Sequence, residues 1–129
     1  ILKGKKKTTS WIQNTITEEN RTIGDINIIF TSDKHLLSIN KQYLNHNYFT
    51  DIVTFNYCEE NTINGDVFIS IETVKNNSAR FNVTLTTELH RVIIHGILHL
   101  IGYDDQNDEE KAIMREKENY YLDRLKNLS

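Results

Sequence analysis

The sequence predicts an α+β domain, a small mixed β-sheet packed with helices, running over residues 1–129 as one unit. Three observations carry that prediction. The order of periodic segments is helix, strand, helix, strand, strand, helix, helix, helix, which does not alternate to the end as a doubly wound parallel sheet would. A chain of 129 residues, 38% hydrophobic and 26% charged, has the composition of an ordinary globular protein with a single core of modest size. Five glycines and no proline leave no flexible linker at which the chain would divide, and there is no internal repeat.

Each element has a local reason. Thr8 to Arg21 reads as a helix with a stripe of Trp11, Ile12, Thr15 and Ile16, capped by Thr8, Thr9 or Ser10. The lysine run before it reads as an irregular strand or tail. Ile26 to Phe30 is a short β-rich run announced by Gly24-Asp25. Thr31-Ser32-Asp33 opens a second helix to about Leu44, with Leu36, Leu37, Ile39, Asn40, Tyr43 and Leu44. Asn45 to Phe49, holding His46, reads as a loop. Asp51 to Tyr57 and Asp66 to Glu72 read as two strands of a hairpin, whose long connection ends in the turn pair Asn64-Gly65. Phe55, Val67 and Ile69 are expected in the core. Glu72 to Ala79 is a short helix with Phe81 to Leu85 as its exit. Thr86 or Thr87 caps the next helix, which is apolar almost all round and so expected to be buried. Asp108 to Lys126 is a final amphipathic helix, with Ile113, Met114, Tyr120, Tyr121, Leu122 and Leu125 apolar and Asp108, Glu109 and Glu110 suited to its positive N-terminus.

Composition also excludes. No run of 18 or more apolar residues exists to span a membrane, and the start lacks the apolar core of a signal peptide. It also lacks an initiator Met, so some residues are expected to be missing in front. Cys58 is the only cysteine, so an intrachain disulfide is excluded and a cytoplasmic setting is expected, with Cys58 packing as a small apolar group. A net charge of −3 is not the overall footprint of a nucleic-acid binder. Any nucleic-acid contact would have to come from a local basic patch or from a metal, and Lys3, Lys5, Lys6 and Lys7 are the first candidates for such a patch; a solvated tail is the simpler reading of them.

The chemistry gathers at His95-Gly96-Ile97-Leu98-His99-Leu100-Ile101-Gly102-Tyr103-Asp104-Asp105. Four residues of helix put the imidazoles of His95 and His99 on one face, one turn apart, where both can point at one metal ion. Both lie in an apolar helix, where a buried polar ring needs a partner. Gly102 stands where a helix C-cap glycine belongs, and the turn after it can bring Asp105 back as a third ligand. Three protein ligands leave a fourth position open, the arrangement of a catalytic rather than a structural zinc site. His90, five residues before His95, lies about 140° around the helix and cannot share that ion. His35 and His46 have no spacing argument and are expected to be structural or exposed.

The run His-Gly-x-Leu-His-Leu-x-Gly-Tyr-Asp followed by a third ligand resembles the signature of the YbeY family of bacterial metal-dependent endoribonucleases, which mature ribosomal RNA. Two upstream blocks match as well: Thr50-Asp51-Ile52-Val53-Thr54-Phe55 and Gly65-Asp66-Val67-Phe68-Ile69-Ser70. The resemblance runs from about Leu36 to Tyr121. It implies the same α+β build, with a ligand helix like that of metzincin metallopeptidases. It further implies single-strand-specific, zinc-dependent cleavage of ribosomal precursor RNA in the cytoplasm, contact with the ribosomal subunit or its proteins, and no DNA or membrane partner. Two positions depart from the pattern. Asp105 replaces the family's third histidine, and Leu44 stands where the family often has an arginine with an implied phosphate-binding role. Arg80 or Arg91 could stand in for that arginine, although a surface or salt-bridge role is simpler for each.

The carboxylate lowers the formal site charge from about +2 to about +1, which predicts a weaker Lewis acid and a looser choice among zinc, iron, manganese and nickel. Gly96 occupies the position of the general-base glutamate in His-Glu-x-x-His proteases, so a protease would lack its base, whereas RNA brings its own 2′-hydroxyl nucleophile. Asp51 and Asp66 are read as turn and cap residues, with a supporting role behind the histidines as the second possibility. No side chain outside the metal set is assigned to catalysis. Two rival functions remain: a non-catalytic ribosome- or RNA-binding module with a structural metal, and a metal-dependent hydrolase or peptidase of another substrate.

Overall fold

The structure is a computed structural model that describes residues 5–44 and 50–128, with side chains from Lys6 to Tyr43 and from Thr50 to Leu128. The expectations for Lys3, His46, the Asn45 to Phe49 loop and the side chains of Lys5 and Leu44 lie outside the described residues. Among the described residues, five helices and three strands follow in the expected order: α1 Lys5–Glu18, β1 Thr22–Thr31, α2 Asp33–Leu44, β2 Ile52–Asn56, β3 Thr62–Ser70, α3 Ile71–Arg80, α4 Leu85–Ile101 and α5 Asp108–Lys126. The sheet is mixed, in the order β1-β3-β2, with β1 parallel and β2 antiparallel to β3. The α+β expectation holds.

The central strand shows how the layers form. Along β3 the buried positions alternate, Ile63, Gly65, Val67 and Ile69 facing α4 while Asn64, Asp66 and Phe68 face the other way. The first face joins Trp11, Ile16, Ile93, Ile97, Leu98 and the other buried side chains of the main core. The second face carries a smaller cluster in which Leu36 and Ile39 of α2 meet Val53, Phe55 and Phe68. Helix α4 lies at the centre, against β2, β3, α1, α3 and α5. Its nearly all-round apolar sequence is the direct reason: ten of its residues are buried. The indole N–H of Trp11 donates to the Tyr121 carbonyl at 2.7 Å and ties α1 to α5.

Several boundaries move, each for a physical reason. Helix α1 begins at Lys5, so Lys5, Lys6 and Lys7 form its first turn and not a strand or tail; it ends at Glu18, where Asn20 adopts a left-handed φ of 64°. Asn64-Gly65 is not a turn. Both lie within β3, and the reversal is made by Glu59 to Thr62, which bond to each other at 2.9 and 3.2 Å. Gly65 is needed there because a Cβ would lie 2.7 Å from Leu100 Cδ2 and from the Phe55 carbonyl; the glycine lets α4 approach the sheet. The α4 cap is Thr84 and neither Thr86 nor Thr87: its hydroxyl accepts the Thr87 N–H at 3.1 Å. Helix α5 has the expected bounds, and its opening turn is closed by the Asn107 side chain, which accepts the Glu110 N–H at 2.8 Å, and by the Glu110 carboxylate, which accepts the Gln106 N–H at 2.9 Å. Ile113 and Tyr120, expected on its apolar face, are exposed, leaving Met114, Tyr121 and Leu125 as the buried stripe.

Candidate metal centre

Helix α4 carries His95 and His99 on the flank that it turns toward α5. One turn of helix separates them, and their rings meet edge to face with centroids 4.5 Å apart. The helix stops at Gly102, whose φ of 124° takes the chain out of the helical path; its N–H and that of Tyr103 close the last turn on the Leu98 and His99 carbonyls. The chain then doubles back and presents Asp105.

The result is a triangle of ligand atoms. His95 Nε2 and His99 Nε2 are 3.0 Å apart, and Asp105 Oδ2 lies 3.3 Å from the first and 3.5 Å from the second. These three residues are the group able to hold a metal ion among the described residues. The donor set fits one. A triangle of that size has its centre roughly 2 Å from every corner, the length of a bond from zinc to imidazole nitrogen or carboxylate oxygen. The sites are half-buried, with side-chain exposures of 22%, 23% and 37%, so one side remains open to solvent.

Behind the triangle stands a residue that the sequence reading missed. Glu118 of α5 is buried, and its Oε2 accepts a hydrogen bond from His95 Nδ1 at 2.6 Å. A carboxylate only accepts, so Nδ1 carries the proton and the Nε2 lone pair is directed at the triangle. Arg91 holds the other oxygen of Glu118 at 2.9 Å and donates to Asn119 at 2.9 Å, which gives it the salt-bridge role rather than a free phosphate-binding one. Burial alone would push the Glu118 carboxyl up and the His95 imidazole down; the bonds of Glu118 to His95 and Arg91 outweigh burial, so Glu118 titrates lower and His95 higher than usual. The signal was present: Glu118 falls on the Met114, Tyr121, Leu125 stripe, an acid on an apolar face.

Asp51 lies just before β2. The Thr50 hydroxyl and local backbone bond its carboxylate, as a turn residue's would be. It also lies within electrostatic reach of His95 and Glu118 in the groove that they line, and burial raises its pKa. Asp66 has no part in the centre. It sits mid-strand on the sheet face away from α4 and accepts from Asn27 Nδ2 at 3.0 Å. His90 packs its ring on Trp11 at 5.6 Å, and His35 is exposed. Arg80 lies over the Phe81 ring at 5.6 Å. Cys58 is half-buried, its thiol bonding the Asn64 and Leu100 carbonyls.

Comparison with known proteins identifies the family. The profile of the family described as Endoribonuclease YbeY matches residues 2–126. A protein of that name from Bacteroides fragilis is 52% identical over 118 residues, covering 92% of this chain and 85% of the relative. Its namesake from Bacteroides thetaiotaomicron is 48% identical over 118 residues, covering 92% and 86%. The Flavobacterium psychrophilum protein is 46% identical over 113 residues, covering 88% and 81%. A solution structure of a Thermotoga maritima protein superposes with a TM-score of 0.67 at 32% identity, covering 95% of this chain and 83% of that one. The chain belongs to the endoribonuclease YbeY family.

Proposed function

We propose that this chain, as one domain over residues 1–129, is a metal-dependent endoribonuclease that cuts single-stranded RNA during ribosomal RNA maturation in the cytoplasm. His95, His99 and Asp105 hold the ion, zinc in first place, with other divalent transition metals admitted by the two-histidine, one-carboxylate set. The observation that carries this reading is the triangle of two imidazole nitrogens and one carboxylate oxygen at 3.0, 3.3 and 3.5 Å. An ion bound there supplies a Lewis acid for a phosphoryl oxygen and lowers the pKa of a water. Glu118 fixes the His95 ring and its tautomer. The turn from Gly102 to Asp105 sets the third ligand. Precursor RNA is the substrate, and the ribosomal subunit or its proteins are the expected partners.

The peptidase reading is disfavoured by Gly96. A Cβ at that position would lie 2.7 Å from Ile52 Cδ1 and 3.0 Å from Val67 Cγ1, so the residue after His95 is pressed against the sheet and has no room for a general base. The direct test is cleavage of a short single-stranded RNA. The reading expects cleavage that a chelator stops, that added divalent metal restores, and that His99→Ala abolishes with the fold intact. Full activity in the His99→Ala variant would remove the metal mechanism. Protein cleavage without RNA cleavage would favour the peptidase. Chelator-insensitive RNA binding without cleavage would leave the binding module.

A further inference from the structure

Beside the metal centre lies a groove of about 480 Å³ between the C-terminal end of α3 and the α4–α5 pair. His95 and Glu118 line one end of it, Phe81 and Val83 the other, and Arg115 stands at its edge. We propose that this groove is a subsite for one nucleotide of single-stranded RNA, with its base stacked on Phe81 and its phosphate drawn to Arg115. The nature of the ligand rests on the nuclease reading; the groove and its exposed ring do not.

Three observations support it. The Phe81 ring is 57% exposed, yet the fold does not require an aromatic there. What α3 uses at this position is the backbone: the Phe81 N–H caps the helix on the Asn77 carbonyl at 2.9 Å. An exposed ring beside a guanidinium, here Arg80 at 5.6 Å, is a stacking platform that accepts any base, since every base has a π-face. The second observation is charge. Arg115 is exposed and has no ion-pair partner within 4.0 Å among the described residues. Three acids line the groove with it: Glu118 is neutralised by Arg91 and His95, Glu88 is buried, and Asp51 is half-buried. Arg115 is therefore the exposed charge of the lining, the group that a phosphate can meet, on a chain whose net charge of −3 gives RNA no general attraction. The third is continuity. The groove ends at His95, so a strand with one phosphodiester at the metal centre can lay its neighbouring nucleotide in it.

The test is fluorescence anisotropy of a labelled short single-stranded RNA with the full chain in chelator, beside steady-state cleavage with metal. Phe81→Ala is expected to weaken binding about tenfold and to raise KM by a similar factor, with Phe81→Trp restoring both. Arg115→Gln is expected to weaken binding at low salt and to flatten its salt dependence. An RNA carrying an abasic nucleotide next to the cut site should no longer distinguish Phe81→Ala from the wild type. Both positions are exposed, and circular dichroism checks that the variants fold. Wild-type binding with Phe81→Ala within twofold of it overturns the subsite and leaves the nuclease reading standing. Binding that depends on Phe81 without any cleavage overturns the nuclease reading and leaves the subsite. A wild type that neither binds RNA in chelator nor cleaves it with metal overturns both. One that cleaves without measurable dependence on Phe81 in KM overturns the subsite alone.

Discussion

At the scale of single residues, the candidate centre depends on a carboxylate outside the triangle. Glu118 keeps the His95 proton on Nδ1, at 2.6 Å, and offsets the charge of Arg91. Glu118→Gln keeps the size but removes the charge and can turn its amide N–H₂ toward His95. Its metal dissociation constant is expected to rise about 10–100-fold, read by competition with a chromophoric chelator. An unchanged constant would mean that the His95 ring is held by the packing of α4 alone. Glu118→Ala should also lower stability by about 3 kcal/mol or more, because it leaves the Arg91 charge half-buried without its partner.

At the scale of elements, α4 and its exit are the device that assembles the site. Gly96 allows α4 to lie on β2 and β3. Gly96→Ala pushes a methyl into Ile52 and Val67 and is expected to cost about 1–3 kcal/mol in denaturant unfolding. Gly102 acts differently. Nothing lies within 4 Å of a Cβ built there, but its φ of 124° is one that side chains avoid. Gly102→Ala should therefore cost about 1–2 kcal/mol and, by shifting the turn to Asp105, weaken metal binding more than stability. How much of this could be read from sequence follows the range of each signal. The bounds of α5 and the meeting of His95, His99 and Asp105 come from helix periodicity and one cap, all local. The parallel pairing of β1 with β3 joins residues about forty positions apart, and that pairing explains why β1 begins at Thr22. Gly65 is a packing residue because Leu100 of α4 and the Phe55 carbonyl of β2 close on it, contacts that no local signal shows. The lysines of the first α1 turn give a charge signal that resembles a tail, and the stripe that makes them helical begins only at Thr8. Glu118 shows in the sequence as an acid on an apolar stripe, but its partners, His95 and Arg91, lie on another helix and could not be read from it.

At the scale of the whole molecule, Glu19 joins the end of α1 to α5 and to the exit of α4. It accepts from the Tyr121 hydroxyl, from the Tyr103 hydroxyl at 2.6 Å and from Lys117 at 3.2 Å. Burial opposes its charge, but these bonds outweigh burial and hold its carboxyl below the ordinary value of 4.5. The folded value is thus lower than the unfolded one. This stability is complete above about pH 4.5 and is lost as pH falls through the lower folded value. Glu19→Gln is expected to lower stability at pH 7 by about 1–3 kcal/mol and to converge on the wild type in acid; a difference that stays constant with pH would contradict the assignment. A metal that binds only the folded chain should also raise Tm, by an amount that grows with its free concentration. The most direct measurement is the metal content of freshly purified protein beside the same chain carrying His99→Ala. One equivalent of a divalent transition metal in the wild type, lost in a variant with an unchanged circular dichroism spectrum, is the result expected. A folded wild type that holds no metal, or a variant that holds as much as the wild type, would contradict it.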